Sequence, residues 1–209
     1  MLGKTLAELG LTQEIIPPYY CVKEAVMPFD RFSKVDPVLG PEMKSTGEVM
    51  GIDKDLGAAV AKAQFAAGQK LPTDGTVFIS VQDKDKMAAL PVARSFHKMG
   101  FTIMATRGTA MFLEENDVPT KRVKKVSAGR PHVVDAVTNN EIQLILNTGA
   151  SSQTKRDGYE IRRAAIKYKI PYATTTDGTK AICSAIEALK KEGLSVNPIQ
   201  LYHQENNHA

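Results

Sequence analysis

Thr106 and Thr109 flank an Arg-Gly pair in the string ATRGTA, directly behind the apolar run FTIM. Hydroxyls at that spacing, where a strand hands over to a helix, suit an anion, because the first-turn amides of a helix lack intrahelical partners. Capping the helix is the more usual task of such a threonine. Similar polar groups recur wherever an apolar run ends. Ser80 closes TVFIS and is followed by Lys84 and Lys86 in QDKDK; Lys124 and Lys125 lie in KRVKKV; Asn147, Thr148 and Gly149 end IQLILN. Hydroxyls, ammonium groups and helix N-terminal amides are the donors a phosphate monoester requires, and the helix dipole adds a favourable potential. Each piece alone is common, and TKRVKKV alone reads as a solvated strand face or edge protection. Their convergence on one rim makes a phosphate site the preferred reading.

Catalysis has thinner support. A general base would be a carboxylate or histidine beside the anion. Asp83, Asp85 and Asp177 lie in strand-end loops, where acidic residues ordinarily cap helices, and His132 in GRPHVVDAV stands at a helix start. No Ser/His/Asp or Cys/His arrangement is legible, and the glycines follow neither GxGxxG nor Walker spacing. His97, His132, His203 and His208 are scattered, and Cys21 and Cys183 lack metal-ligand spacing. No metal site is therefore expected, and two reduced thiols fit a cytoplasmic protein.

The elements that must carry these groups are regular from about residue 75 onward. The runs 76–81, 101–106, 121–126, 142–147 and 171–175 read as strands, and IQLILN is nearly all aliphatic, as a doubly covered strand requires. Helical stretches alternate with them. Ile161, Ala164, Ala165 and Tyr168 share one helical face, as do Ile182, Ala185, Ile186 and Leu189 in a helix ending near Gly193. Pro91 is awkward inside its helix and tolerable mainly in the first turns. Five strands alternating with five helices predict an α/β Rossmann-like three-layer sandwich on a five-stranded parallel sheet. Ligands in such folds gather beyond the C-terminal strand ends. That places candidate sites after Val81, Met104, Val126, Asn147 and Ala173.

The first 65 residues follow another pattern. Two extended segments, PPYYCVKEAVMPFDRF and GPEMKSTGEVMGI, precede the helix DLGAAVAKAQFAAG. A hairpin and a helix bury too little surface for a comfortable domain, so residues 1–65 read as the tail of a larger one. Residues 66–75, AAGQKLPTDG, have linker composition.

The 209 residues carry 43% hydrophobic and 24% charged side chains, an ordinary globular balance, with a net charge of +4 that fits small anions as well as nucleic acid. Aromatic residues make up 6% and do not interleave with Lys121, Arg122, Lys124, Lys125, Arg130, Lys155, Arg156, Arg162 and Arg163, so base stacking has little support. No apolar run reaches the ~18 residues of a membrane span, and the N-terminus lacks a secretory h-region.

Seven strings in this order resemble the C-terminal end of the carbamoyl phosphate synthetase large subunit: IPPYYCVKEAVMPFDRF, DPVLGPEMKSTGEVMGI, FISVQDKDK, ATRGTA, KVSAGRPHVVDAV, ILNTGASSQ and IRRAAIKYKIPYATT. The pairing of GPEMKSTGEVMG with a downstream GRPH is the specific part. The resemblance covers nearly the whole chain. It implies that residues 1–65 end an ATP-grasp unit and that residues 76–209 form a methylglyoxal-synthase-like allosteric domain. It further implies a parent ATP-dependent ligase that makes carbamoyl phosphate from bicarbonate, glutamine-derived ammonia and two ATP for pyrimidine and arginine biosynthesis. That parent uses ATP and Mg or Mn, pairs with a glutamine amidotransferase small subunit and self-associates. The stretch at hand would be non-catalytic, without cofactor, membrane or nucleic-acid partner. Matching positions for the phosphate and ribose of the effectors UMP and IMP are Ser80, Lys86, Thr106, Thr109, Lys125, Asn147 and Thr148, with Ile161 by the base. Glu24 in VKEAV and Thr174 in YATTT match positions that hold ornithine. Arg107 stands where the family often has His, and Gly149 where it often has Thr. The alternative, a lyase of the methylglyoxal synthase type acting on dihydroxyacetone phosphate, wants a carboxylate base after the fourth strand. There the chain reads NTGASSQTK, with no acid until Asp157.

Overall fold

Along Tyr20–Val26 (β1), Val22, Glu24 and Val26 turn inward while Cys21, Lys23 and Ala25 face solvent, the two-residue period of a strand with one covered face. In the computed structural model, which describes residues 3–14, 16–29, 31, 43–148 and 155–206, β1 pairs antiparallel with Gly47–Asp53 (β2), Val22 opposite Gly51 and Glu24 opposite Val49. The segment 32–42 that joins the two strands lies outside the described residues.

Leu56–Ala66 (α1) covers the inner face of this ribbon. It starts at Asp55, whose carboxylate accepts the Ala58 amide at 2.8 Å. Two glycines let α1 approach its neighbours on both sides. A Cβ on Gly51 would lie 2.0 Å from the Ala59 carbonyl oxygen, and one on Gly57 would lie 2.4 Å from the Ser184 carbonyl oxygen. Lys62 of α1 locks the end of β2, pairing with Asp53 at 2.7 Å and donating to the Ile52 carbonyl at 3.0 Å.

Burial alone would raise the Asp53 carboxyl, but Lys62 and the amides of Asp55 and Lys54 outweigh it and hold the group below its ordinary value. A depressed carboxyl binds its proton less readily in the folded than in the unfolded chain. Its stabilisation is therefore present above the unfolded value near ~4 and is lost as pH falls through the folded one. Asp53→Asn is expected to cost about 1–2 kcal/mol at neutral pH and to flatten the acid limb below ~pH 4, read from urea melts across pH.

The second unit alternates strand and helix throughout. Thr76–Ser80 (β3) leads to Lys86–Lys98 (α2), Thr102–Thr106 (β4) to Arg107–Glu114 (α3), and Thr120–Val123 (β5) to Val133–Thr138 (α4). Leu144–Asn147 (β6), Lys155–Lys167 (α5), Tyr172–Ala173 (β7) and Thr176–Glu192 (α6) follow. The sheet is wholly parallel in the order β5-β4-β3-β6-β7. Alternate residues feed opposite faces. Val77, Ile79, Ile103, Leu144 and Leu146 pack under α2, α3 and α6, whereas Phe78, Met104 and Ile145 pack under α4 and α5. This is the expected three-layer α/β sandwich.

Several elements depart from their sequence expectation. β5 ends at Val123, so Lys124 and Lys125 leave the sheet and Lys125 opens a 3-10 turn, Val126–Ala128. β7 has two residues, which puts Thr174 in the following bend and makes Thr175 the cap of α6, accepting the Gly178 amide at 3.1 Å. Pro91 sits in the second turn of α2, where it removes one amide near exposed Met87 without ending the helix. Tyr168 lies past the end of α5 and is 40% exposed, so only Ile161, Ala164 and Ala165 of the predicted face are buried. Gly193 closes α6 at φ 72°, as predicted for a C-terminal glycine.

The stretch 66–75 is crossed by packing. Val60 and Ala61 of α1 and Leu71 share one buried cluster with Ile182, Cys183 and Ile186 of α6. A further helix, Ile199–Asn206 (α7), returns to the ribbon. Tyr202 donates to the Ile52 carbonyl at 3.2 Å and packs edge-to-face on Tyr19.

Candidate functional site

Ser80, Thr106 and Asn147 are the last residues of β3, β4 and β6, three adjacent strands of the sheet. The chain runs from β3 outward through β4 to β5 and then returns to the other side of β3 with β6. The strand ends therefore splay at the point where the order reverses, leaving a crevice. A cleft of about 490 Å³ opens there. Ser80, Thr106, Thr109 and Asn147 form its floor, Lys86 and Lys125 stand on its sides, and Ile161 of α5 closes the wall opposite.

The hydroxyls are fixed. Thr106 and Thr109 are 3% and 2% exposed. Thr106 is the residue before α3, yet its side chain makes no capping bond; its Oγ1 lies 3.2 Å from Ser80 Oγ. Thr109, placed by one helical turn, accepts the Val81 amide at 3.3 Å, which ties α3 to the loop after β3. Thr106 thus leaves the first turn of α3 without a side-chain cap, and Gly108 of that turn lines the cleft.

Lys86 is only 20% exposed, lies over the Phe112 ring, and pairs at 2.8 Å with Asp83, whose own side chain is 94% exposed. The hydrogen bond and charge of Lys86 hold the Asp83 carboxyl below its ordinary value, and the charge of Lys125 adds to this. Asp83, Lys86 and Lys125 all line the cleft.

The remaining expectations divide. Thr148 does not line the cleft: its hydroxyl is 2.8 Å from an Asp85 oxygen, and its backbone is held by Ser80 and Gln82. Arg107 is exposed and is not among the cleft residues, and Gly149 lies outside the described residues. Glu24 is half-buried beside Gln64; burial pushes its carboxyl up, and the Gln64 hydrogen bond offsets part of this. Thr174 is exposed in the bend after β7. Neither lines the cleft, and no hydrogen bond joins the two.

Each of the candidate bases has a partner in the structure. Asp83 is engaged by Lys86, Asp85 by Thr148, and Asp177 by Lys180 at 3.1 Å. His132 caps α4, with its amide on Asp135 at 2.9 Å. Its Nδ1 is 3.2 Å from Asp135 but off the hydrogen-bond direction, and it stands outside the cleft. Asp157, which sequence reading named only as the first acid after the fourth strand, is a cleft residue. It lines the cleft while its two oxygens take the Ser127 hydroxyl at 2.7 Å and the Ser127 amide at 3.1 Å. Its partner lies 30 positions away, and no local pattern announces such a pair.

Among the described residues, no group of His, Cys, Asp or Glu is arranged to hold a metal, and no helix is long and apolar enough to cross a membrane. Several basic residues raised for nucleic acid face carboxylates: Lys121 on Glu141, Arg122 on Glu114, Arg130 on Asp135 and Arg156 on Glu160.

Residues 88–174, from α2 to the bend after β7, match the model of the MGS-like domain. The chain carries an MGS-like domain. Over 202 residues, 97% of its length, the chain is 52% identical to the carbamoyl phosphate synthase large chain of Nostoc sp.. It is 54% identical over 187 residues, 90% of its length, to that of Pseudomonas putida. The resemblance read from the seven strings is thereby shown, and it extends on both sides of the MGS-like domain. The chain spans 18% and 17% of the lengths of these two relatives. The solved structure titled "Crystal structure of ForH" covers 65% of this chain and is covered to 90%, with a TM-score of 0.41 and 17% identity.

Proposed function

We propose that this chain is a regulatory ligand-binding module that senses a nucleoside monophosphate, UMP or IMP, in the cleft of its MGS-like domain. One observation supports this above the others. Hydroxyls, a helix N-terminus without a side-chain cap and two ammonium groups line one cleft, and the carboxylates that line it, Asp83 and Asp157, already have partners. Ser80, Thr106, Thr109, Lys86 and Lys125 hold the phosphate, Asn147 and Thr148 serve the ribose side, and Ile161 lies by the base. Thr148 would have to release Asp85 to take part.

The rest of the reading follows the relatives named carbamoyl phosphate synthase large chain. Residues 1–65 correspond to the end of an ATP-grasp unit, 66–75 to a connection and 76–209 to the allosteric domain. The parent enzyme is an ATP- and Mg- or Mn-dependent ligase that works in the cytoplasm with a glutamine amidotransferase subunit and self-associates. Glu24 and Thr174 form a second effector site for ornithine. An incoming ammonium would restore the charged form of Glu24 that burial disfavours.

Calorimetry with UMP, IMP and dihydroxyacetone phosphate tests the reading. Saturable heat with a nucleotide and no release of methylglyoxal support it; methylglyoxal formation overturns it in favour of the lyase. Asp83→Asn sharpens the test. Removing an exposed carboxylate frees Lys86 for the phosphate, so nucleotide binding is expected to tighten about 2- to 5-fold, the range of an exposed ion pair.

A further inference from the structure

Helix α5 reaches from the cleft to Phe29, in the segment that follows β1 of the N-terminal ribbon. Its first turns give Asp157, Gly158 and Ile161 to the cleft wall. Two residues after Ile161, Arg163 donates from Nη1 to the Phe29 carbonyl at 3.3 Å, a bond that spans 134 positions of sequence. Phe29 is itself 7% exposed and follows β1, the strand that bears Glu24. Along this stretch Ile161, and just past Arg163 also Ala164 and Ala165, are buried in one cluster with Phe78 and Ile145 of the sheet. A helix packed in this way shifts as a rod, and Asp157 and Arg163 lie ~9 Å apart along it.

The cleft end of this rod has a grip on the phosphate side. Asp157 holds both the amide and the hydroxyl of Ser127, and Ser127 lies in the 3-10 turn that Lys125 opens. A phosphate that draws the Lys125 ammonium inward moves that turn, and the Ser127–Asp157 bonds carry the movement into α5. Ligand in the cleft can shift the ribbon only if it favours one of two arrangements of the pieces between. The Ser127–Asp157 and Arg163–Phe29 bonds are the two joints where such arrangements would differ.

We propose that α5 couples occupancy of the cleft to the N-terminal ribbon, with Arg163 as the positioning residue at its far end. The proposal rests on the nucleotide-sensing function above and adds the route by which the ligand is felt outside its own domain. Arginine suits the joint because its planar fork keeps other donors engaged while one bonds the carbonyl.

Hydrogen–deuterium exchange on the whole chain, with and without saturating UMP, tests it beside calorimetry. In the native sequence, UMP is expected to change exchange in both 157–163 and 20–29. In Arg163→Met, UMP affinity stays within about 2-fold and the response in 157–163 persists, while the response in 20–29 is lost; Arg163→Lys restores part of it. Ser127→Ala, which leaves the ribbon contact untouched, also reduces the response in 20–29 and serves if the Arg163 variant does not fold. A response in 20–29 that survives both variants overturns the proposal, as does measurable UMP binding with no response there in the native sequence. Absence of binding heat with UMP and IMP alike removes the sensing function, and the coupling with it.

Discussion

Changing Lys86 and Lys125 together to alanine is expected to weaken binding of a nucleoside monophosphate by 100-fold or more. Each ammonium would donate a charge-assisted hydrogen bond to the phosphate, and such a bond contributes about 1.5–3 kcal/mol. Both line the same cleft, so the losses add. Folding should be nearly untouched, because Lys86 pairs with a carboxylate that is 94% exposed. Titration calorimetry at two salt concentrations checks this: the native chain loses affinity as salt rises, and the double variant has little electrostatic affinity left to lose. Near-native affinity in the double variant would show that the cleft does not hold phosphate through these groups.

Gly51→Ala carries the largest expected effect on stability. The added methyl meets backbone, 2.0 Å from the Ala59 oxygen and 2.6 Å from the Ala63 nitrogen, so relief requires α1 to move off the ribbon. α1 is held on its other side by the same kind of closeness, Gly57 against the Ser184 carbonyl, and has little room to retreat. A destabilisation of about 3 kcal/mol follows from overpacking of this severity. For a chain of this size it lowers Tm by roughly 6–12 °C. Gly47→Ala in the same strand is the control, since a Cβ there meets nothing within 4 Å. Equal thermal midpoints for the two variants would refute the role given to the close approach.

The sheet and the rim were legible because each rests on local pattern joined to a topological rule. An aliphatic run such as Ile142–Asn147 has few alternatives to a covered strand, and alternation with helices fixes parallel order and the edge where ligands gather. That logic brought Ser80, Lys86, Thr106, Thr109, Lys125 and Asn147 to one rim; Ile161, placed by resemblance, lies in the same cleft. It failed where a side chain's direction depends on a non-local partner. Thr148 follows β6 as expected but turns to Asp85, 63 positions away. Asp157 takes its meaning from Ser127. α7 has no regular apolar stripe in IQLYHQEN, and one residue, Tyr202, does most of its anchoring through Ile52 and Tyr19.

The contact between Ser80 Oγ and Thr106 Oγ1 can be polarised in either sense, since either oxygen can be the donor. Two hydroxyls bring two protons, and their mutual bond uses one of them. The second proton is free to turn toward the cleft that both residues line. Rotation about two C–O bonds moves that proton from the β3 side to the β4 side without breaking any bond to the backbone. The pair is thus a small relay of reversible polarity, and under the proposed function the oxygens of a bound nucleotide would set its sense.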